Sequence, residues 1–540
     1  MKTIYNYLSA KNVANLLMIC IMFLFFSCET GVKKHDPDSF TYLEMDITTL
    51  HNGYLDGKYT VGEIINAYLD RIEAIDKNGH ALNAIITVNP DALKIAEMLD
   101  KEIKEGKVRG PLHGIPVVLK DNIDTHDGMP TTAGSRALEN SYPLQDSFVA
   151  MKLREAGAVI IGKANLSEWA NFRGQLSSSG WSGVGGQTKN PYVLDRNPCG
   201  SSSGSAVAVS ANLAMVAIGT ETNGSIVCPS HATGIVGIKP TVGLVSRSGV
   251  IPIAYSMDIA GPMARNVKDA AITLGVLTGI DNDDEKTLKS QGKYYSDYTK
   301  FLNENGLEGK RIGFYTASTG RNFKVDTLMS RAVELLKTKG AEILEINEIT
   351  AASTGQHAYQ VMLYEYKDGL NKYFASLGDE APVKSIEELI EFNRNDSISL
   401  KYHNQRYLEM AQEKGDLSSP GYKEALTMMH AGSREKGIDR VMDEHDLDAI
   451  VAPTGSPAWK TDLVNGDSFQ IGSSSPAAYA GYPVITLPMG YVEDLPVGIS
   501  FFGRAWSEPV LLEIAYAYEN ATQHRRKPQF LETDVNYMID

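Results

Sequence analysis

The sequence predicts one large α/β domain built on a mixed β-sheet. Short apolar runs alternate with amphipathic helical stretches at both ends of the chain, and no low-complexity linker or internal repeat separates them. Between the two ends lies a more polar, more helical tract, residues about 295–440, rich in Lys, Glu and Tyr. With 540 residues, 43% of them hydrophobic and 22% charged, the chain can bury a large core. A net charge of −15 without a long basic run argues against nucleic acid as a partner.

The N-terminus stands apart from this pattern. Lys2 and Lys11 precede the apolar run 16–26 (LLMICIMFLFF), which ends at Ser27-Cys28. The run is shorter than the roughly 20 residues of a membrane span and suits the apolar core of a secretory signal. A small residue before a cysteine resembles the lipobox of bacterial lipoproteins, although Phe25 and Phe26 stand where small or aliphatic residues are usual. The resemblance implies a leader over 1–27, acylation of Cys28, a polar tether over 28–40, and a folded domain over 41–540. The protein is then expected to be exported and anchored to a membrane as a bacterial lipoprotein, on the periplasmic side or at the cell surface. An uncleaved signal anchor or plain secretion is the alternative.

Within the domain, Thr60 and Glu63 form a capping box, and Val61, Ile64, Ile65, Tyr68, Leu69, Ile72 and Ile75 make one helical face. Residues 116–119 (PVVL) predict a short buried strand ending at Lys120. A helix over 146–155 leads into a strand at 158–161, and further strands are expected at 215–218 and 234–238. The polar tract opens with a strand at 311–315. The alternation resumes with strands at 449–452, 484–488 and 499–502 and closes with a helix over 509–523.

Chemistry concentrates in residues 197–229, NPCGSSSGSAVAVSANLAMVAIGTETNGSIVCP. Serine and glycine clusters usually form flexible loops, yet the residues that follow, 206–217, are rich in Ala, Val, Leu and Met. These serines open a buried segment. Ser225 as a nucleophile needs a base and donors for an oxyanion. Thr222-Asn223-Gly224-Ser225 follows an expected strand and precedes an expected helix, so successive N–H groups can converge there, and Gly224 permits a tight turn. A purely structural turn is the alternative. His231 lies six residues on, where the chain carries it away, and Asn223 breaks any Gly-x-Ser-x-Gly elbow. The base must come from elsewhere. Lys120 is the candidate if burial keeps it neutral; otherwise it is a solvated surface charge. Cys199 and Cys228 are expected as two buried free thiols, with a disulfide between them as the alternative in an exported protein, and no Cys/His spacing suggests a metal.

Four blocks in this order, GPLHGIPVVLKDNIDT, CGSSSGSA, GTETNGSI and GIKPTVGLVS, resemble the signature segments of the amidase signature family, and the resemblance runs from about residue 41 to 530. It implies a Ser-cisSer-Lys triad on a single α/β domain. Ser225 matches the nucleophile, Lys120 the general base, and Ser201 the bridging serine after a cis Gly200–Ser201 bond. The backbone N–H groups of Thr222, Asn223, Gly224 and Ser225 match the oxyanion hole, and no cofactor or metal is implied. Departures from the common pattern are Cys199 and Ser203 for glycine, Glu221 for aspartate, Asn223 for glycine, and Val227 for an arginine frequent in the amidotransferase branch.

NLSEWANFRG, GGQTKNPYVLDRNPCGSSSGSA, DAIVAPTGSPAW and SSSPAAYAGYPVITLPMG resemble the bacterial peptide amidases, which release ammonia from C-terminal peptide amides. That branch more often has aspartate at position 223. The implied substrate is a small amide or an amidated peptide, with Asn223 and Trp181 as substrate contacts. Two other readings stand beside it: the glutaminase subunit of a tRNA-dependent amidotransferase, and a non-catalytic peptide-binding lipoprotein.

Overall fold

Eleven strands run through one twisted sheet in a computed structural model that describes residues 39–533. In chain order they are β1 (Ile85–Val88), β2 (Pro116–Lys120), β3 (Val159–Ala164), β6 (Val216–Glu221), β7 (Val236–Lys239), β8 (Ile259–Ala264), β9 (Arg311–Tyr315), β10 (Glu342–Ile346), β11 (Ala449–Pro453), β12 (Val484–Val492) and β13 (Leu495–Phe502). The two-residue strands β4 (Trp181–Ser182) and β5 (Gly186–Gln187) form a separate hairpin. The spatial order is β1-β3-β2-β6-β8-β7-β12-β13-β11-β9-β10. Parallel pairs (β3/β2, β2/β6, β11/β9 and β9/β10) flank a run of antiparallel ones, which makes the sheet mixed.

Strands β2, β3, β6 and β11 are largely apolar and wholly buried, as expected for a sheet covered by helices on each side. The helix Ser203–Ser210 (SGSAVAVS) lies inside this core with every residue buried; small side chains all round it permit that. The helix Val61–Arg71 has its expected capping box between Thr60 and Glu63. Its apolar face holds up to Arg71; Ile72 and Ile75 stay buried but belong to a wider π-helical turn, Ile72–Lys77.

Within the tract 295–440, residues 311–346 supply β9, the helix Phe323–Thr338 and β10 to the main sheet. The helices Thr354–Ser376, Ile386–Asn395, Arg406–Gln412 and Pro420–Ser433 then build a second apolar core. Val361, Tyr366, Leu370, Leu389, Leu408 and Met429 pack there against Trp169, Phe172 and Ile253, which come from loops of the sheet domain. This helical layer therefore rests on the same loops that border the site.

The expected leader 1–27 and Cys28 lie outside the described residues, as do residues 28–38 of the expected tether 28–40. Among the described residues, no helix is long and apolar enough to cross a membrane.

Candidate active site

Lys120 is the last residue of β2, fully buried at the sheet's end. Its Nζ lies 2.7 Å from Ser201 Oγ, 2.9 Å from Thr220 Oγ1 and 3.1 Å from the Thr220 carbonyl oxygen. Asn122 donates to the same threonine hydroxyl at 3.0 Å. Burial pushes the Lys120 ammonium down to about 7, against the opposing pull of the Asp258 and Glu221 carboxylates. An amine that titrates there is neutral in part of the population at neutral pH.

Ser201 follows a cis peptide bond, Gly200–Ser201. Its carbonyl oxygen accepts from the Ser167 N–H at 3.1 Å. A β-carbon at Gly200 would come within 2.3 Å of Ser167 Oγ, so a side chain there would have to displace that hydroxyl. Ser202 ties this turn to the next one: its N–H donates to the Ser225 carbonyl at 3.1 Å and its Oγ to the Thr220 carbonyl at 3.1 Å.

Ser225 sits on the turn that leaves β6, and Gly224 takes a φ of 86° to make it. Three carboxyl or amide side chains fasten this turn. Glu221 accepts from the N–H groups of Gly224 (2.8 Å), Ile226 (2.7 Å) and Val227 (3.0 Å). Thr222 Oγ1 donates to Asp258, whose other oxygen accepts from the N–H groups of Ile253 and Ala254 at 2.8 Å each. Burial raises the Asp258 carboxyl to about 6. Asn223 Oδ1 accepts from Ser474 Oγ at 2.7 Å while its Nδ2 donates to Ser475 Oγ at 3.2 Å.

In front of Ser225 opens a cleft of about 550 Å³. Thr222, Asn223, Gly224 and Ser225 form its floor, with Phe172, Ile253, Met362, Tyr407, Trp459 and Phe469 on its walls. Met362 and Tyr407 come from the helical layer. Leu176 and Phe469, 66% and 53% exposed, stand at the rim. Among the described residues of this lining, Asp467 is the one that is charged, and its carboxylate is fully engaged. It accepts from the N–H and Oγ of Ser179, from Trp459 Nε1 and from Asn197 Nδ2.

Lys120 and Ser201, drawn from separate blocks of sequence, thus meet at the end of β2, and the Ser202 N–H joins the Ser201 turn to the Ser225 carbonyl at the end of β6. Asn223 lies in the cleft with its side chain turned to the serines opposite. Trp181 lies outside the cleft walls, edge-on to Tyr402 and His403 and beneath the Arg173 guanidinium. His231 is buried, and desolvation pushes its imidazole down to about 3. Glu221, Asp258 and Asp467 are the supports that sequence reading missed. Only Glu221 carried a signal, as a departure from aspartate.

Cys199 and Cys228 are not free thiols: they form a disulfide with their Cα atoms 5.9 Å apart. The turn before Ser201 and the helix after Ser225 (Val227–Ala232) wrap the same cleft, a long-range closeness that a spacing of 29 residues does not reveal.

Fold and comparisons together place the chain among enzymes that hydrolyse amide C–N bonds. More particularly, it belongs to the amidase family, whose profile, described as Amidase, matches residues 63–512. A probable amidase of Arabidopsis thaliana is 39% identical, covering 96% of this chain and 97% of its own. A putative amidase of Schizosaccharomyces pombe is 35% identical, covering 92% and 88%. Among solved structures, the native peptide amidase of Stenotrophomonas maltophilia superposes with a TM-score of 0.88 at 47% identity, over 91% of this chain and 99% of its own. These relatives correct the expectation of an exported, membrane-anchored bacterial lipoprotein: the curated relatives named here are a plant and a yeast protein. An apolar run ending in Ser-Cys records local hydrophobicity, and that short pattern does not specify processing or a lipid anchor.

Proposed function

We propose that this enzyme hydrolyses neutral amides through Ser225, Ser201 and Lys120, with C-terminal peptide amides as its substrate class. The observation that carries this reading is the surroundings of the Lys120 amine. A neutral amine has two N–H donors and one lone pair. As the ammonium, Nζ donates to Ser201 Oγ at 2.7 Å and to both oxygens of Thr220; once neutral, the amine can keep its two donors on Thr220 and turn its lone pair to the Ser201 hydroxyl.

The steps follow from that polarity. Ser225 Oγ attacks the amide carbonyl carbon as Ser201 takes its proton and passes its own to Lys120. The backbone N–H groups of Thr222, Asn223 and Ser225 stabilise the oxyanion; the Gly224 N–H, expected among them, is held by Glu221. Collapse breaks the C–N bond, and the relay returns a proton to the leaving nitrogen, which departs as ammonia from a primary amide. Water then attacks the Ser225 ester through the same relay, releasing the carboxylic acid and restoring Ser225.

The cleft favours a peptide amide over free glutamine. Apolar and aromatic walls match a bulky neutral side chain, whereas no Lys, Arg or His among the described lining residues can pair with the α-carboxylate of glutamine. The likeness to the S. maltophilia peptide amidase supports the same choice. The test measures ammonia release from C-terminally amidated peptides, simple amides and glutamine, with Ser225→Ala in parallel. Turnover of amidated peptides that vanishes in the variant is expected. Glutamine as the preferred substrate would overturn the substrate class, and wild-type turnover by Ser225→Ala would overturn the mechanism; binding of amidated peptides without any turnover would favour a non-catalytic binder.

A further inference from the structure

Glu221 closes β6 with its carboxylate buried and bent forward over the turn it precedes. One oxygen accepts from Gly224 N–H, and the other from both Ile226 and Val227 N–H. These amides bracket Ser225 on both sides, and those of Ile226 and Val227 lie where the helix Val227–Ala232 begins, beyond the reach of i−4 carbonyls. We infer that Glu221 is a positioning residue, which clamps the turn so that the Ser225 hydroxyl and the remaining turn amides face the substrate carbonyl. This rests on Ser225 being the nucleophile.

The clamp has a second consequence for the oxyanion. With Gly224 N–H directed into the Glu221 carboxylate at 2.8 Å, the donors left to the turn are those of Thr222, Asn223 and Ser225. The side chain's length matters here. A carboxylate one methylene shorter keeps the bonds to Gly224 on one side and to Ile226 and Val227 on the other only if the turn draws closer to β6.

The charge of Glu221 is also felt by the amines around it. Lys120 faces it from β2 and Lys239 from β7, both fully buried; Asp258 is the other carboxylate that acts on Lys120, and Glu508 the other that acts on Lys239. Removing the Glu221 charge makes the Lys120 ammonium less stable, so its titration moves to lower pH.

The test compares Glu221→Gln and Glu221→Asp with the wild-type enzyme on an amidated peptide, with thermal melting to verify folding. Gln keeps the shape but turns an NH₂ toward an N–H. Its kcat is expected to fall roughly 10- to 100-fold with KM within about threefold, and the acid limb of kcat/KM to shift downward. Asp keeps the charge, so its acid limb stays in place while kcat recovers only in part. A Gln variant with wild-type kcat overturns the inference, as does a limb that moves with Asp and not with Gln. Should Gln fail to fold, Asp decides alone: unchanged kcat overturns the clamp, and reduced kcat with unchanged KM and limb upholds it. Ser225→Ala separates the two failures. If that variant is inactive and Glu221→Gln is unimpaired, only the Glu221 role falls; if Ser225→Ala stays active, the reading of Ser225 falls too.

Discussion

The amine of Lys120 and the hydroxyl of Ser201, 81 residues apart in sequence, lie 2.7 Å from each other in a site closed to solvent. One comes from the last position of a parallel strand and the other from a turn leading into a buried helix. Their contact fixes the pH behaviour of the enzyme. Lys120 accepts a proton only when neutral, and burial brings its pKa down to about 7. The fraction of neutral amine rises with pH, so kcat/KM for an uncharged amide is expected to climb along a limb centred near 7 and level off above it. The measurement is kcat/KM across roughly pH 5–9. A flat profile would contradict a Lys120 base.

Substitutions within the relay have graded outcomes. Ser225→Ala removes the bond-forming oxygen and is expected to cost about 10⁴-fold or more in kcat. Lys120→Met replaces a buried amine with an apolar chain of similar length. It loses a comparable factor while keeping the wild-type melting temperature or raising it, because a desolvated amine no longer has to be held. Ser201→Ala interrupts the proton path and is expected to cost about 10²- to 10⁴-fold. Ammonia release and thermal melting on the same preparations check all three.

Much of the sheet was legible because its central strands are short, wholly apolar runs next to amphipathic helices. Residues 116–119, 158–161 and 449–452 fall on β2, β3 and β11 within a few positions. Strand β8 is not legible in the sequence, for a physical reason. Its sequence IAGPMA holds Gly261 and Pro262, which read as a turn, yet it pairs antiparallel with β6 and β7 in the interior of the sheet. The site divides along the same line. Lys120, Ser201 and Ser225 sit in local patterns that sequence displays. Asp258, Asp467 and the Cys199–Cys228 pair act through contacts between distant segments, and no local pattern announces them.

Asn223 tests how the nucleophile turn communicates with the opposite wall. Its amide accepts from Ser474 Oγ and donates to Ser475 Oγ at the start of the helix Ser475–Ala480. Asn223→Ala breaks both bonds, each worth about 1 kcal/mol, and frees the segment around Gly472. The expected result is a KM several-fold higher for amidated peptides, with a smaller change in kcat. Asn223→Asp keeps the acceptor for Ser474 and loses the donor to Ser475, so its KM should fall between those of wild type and the alanine variant. Steady-state kinetics over a panel of peptide side chains checks the order. An unchanged KM in both variants would show that the pairing does not shape the cleft.

The disulfide joins a residue two positions before Ser201 to one three positions after Ser225, so it staples the two turns of the site along the cleft lining. Its sulfurs pack with Ala232 and Trp459, and Trp459 also forms part of the cleft wall. Closing a loop across a separation of 29 residues restricts the unfolded chain and is worth about 3.6 kcal/mol. A Cys199→Ser/Cys228→Ser variant is therefore expected to lose about that much stability in denaturant titration. Because Ser202 N–H still links its turn to the Ser225 carbonyl, kcat should drop by less than about tenfold, far less than in the relay variants. Stability equal to wild type would show that the native turns hold themselves without the bond. A kcat loss as large as that of Ser201→Ala would show that the disulfide, and not the backbone contact, sets the distance between the two serines.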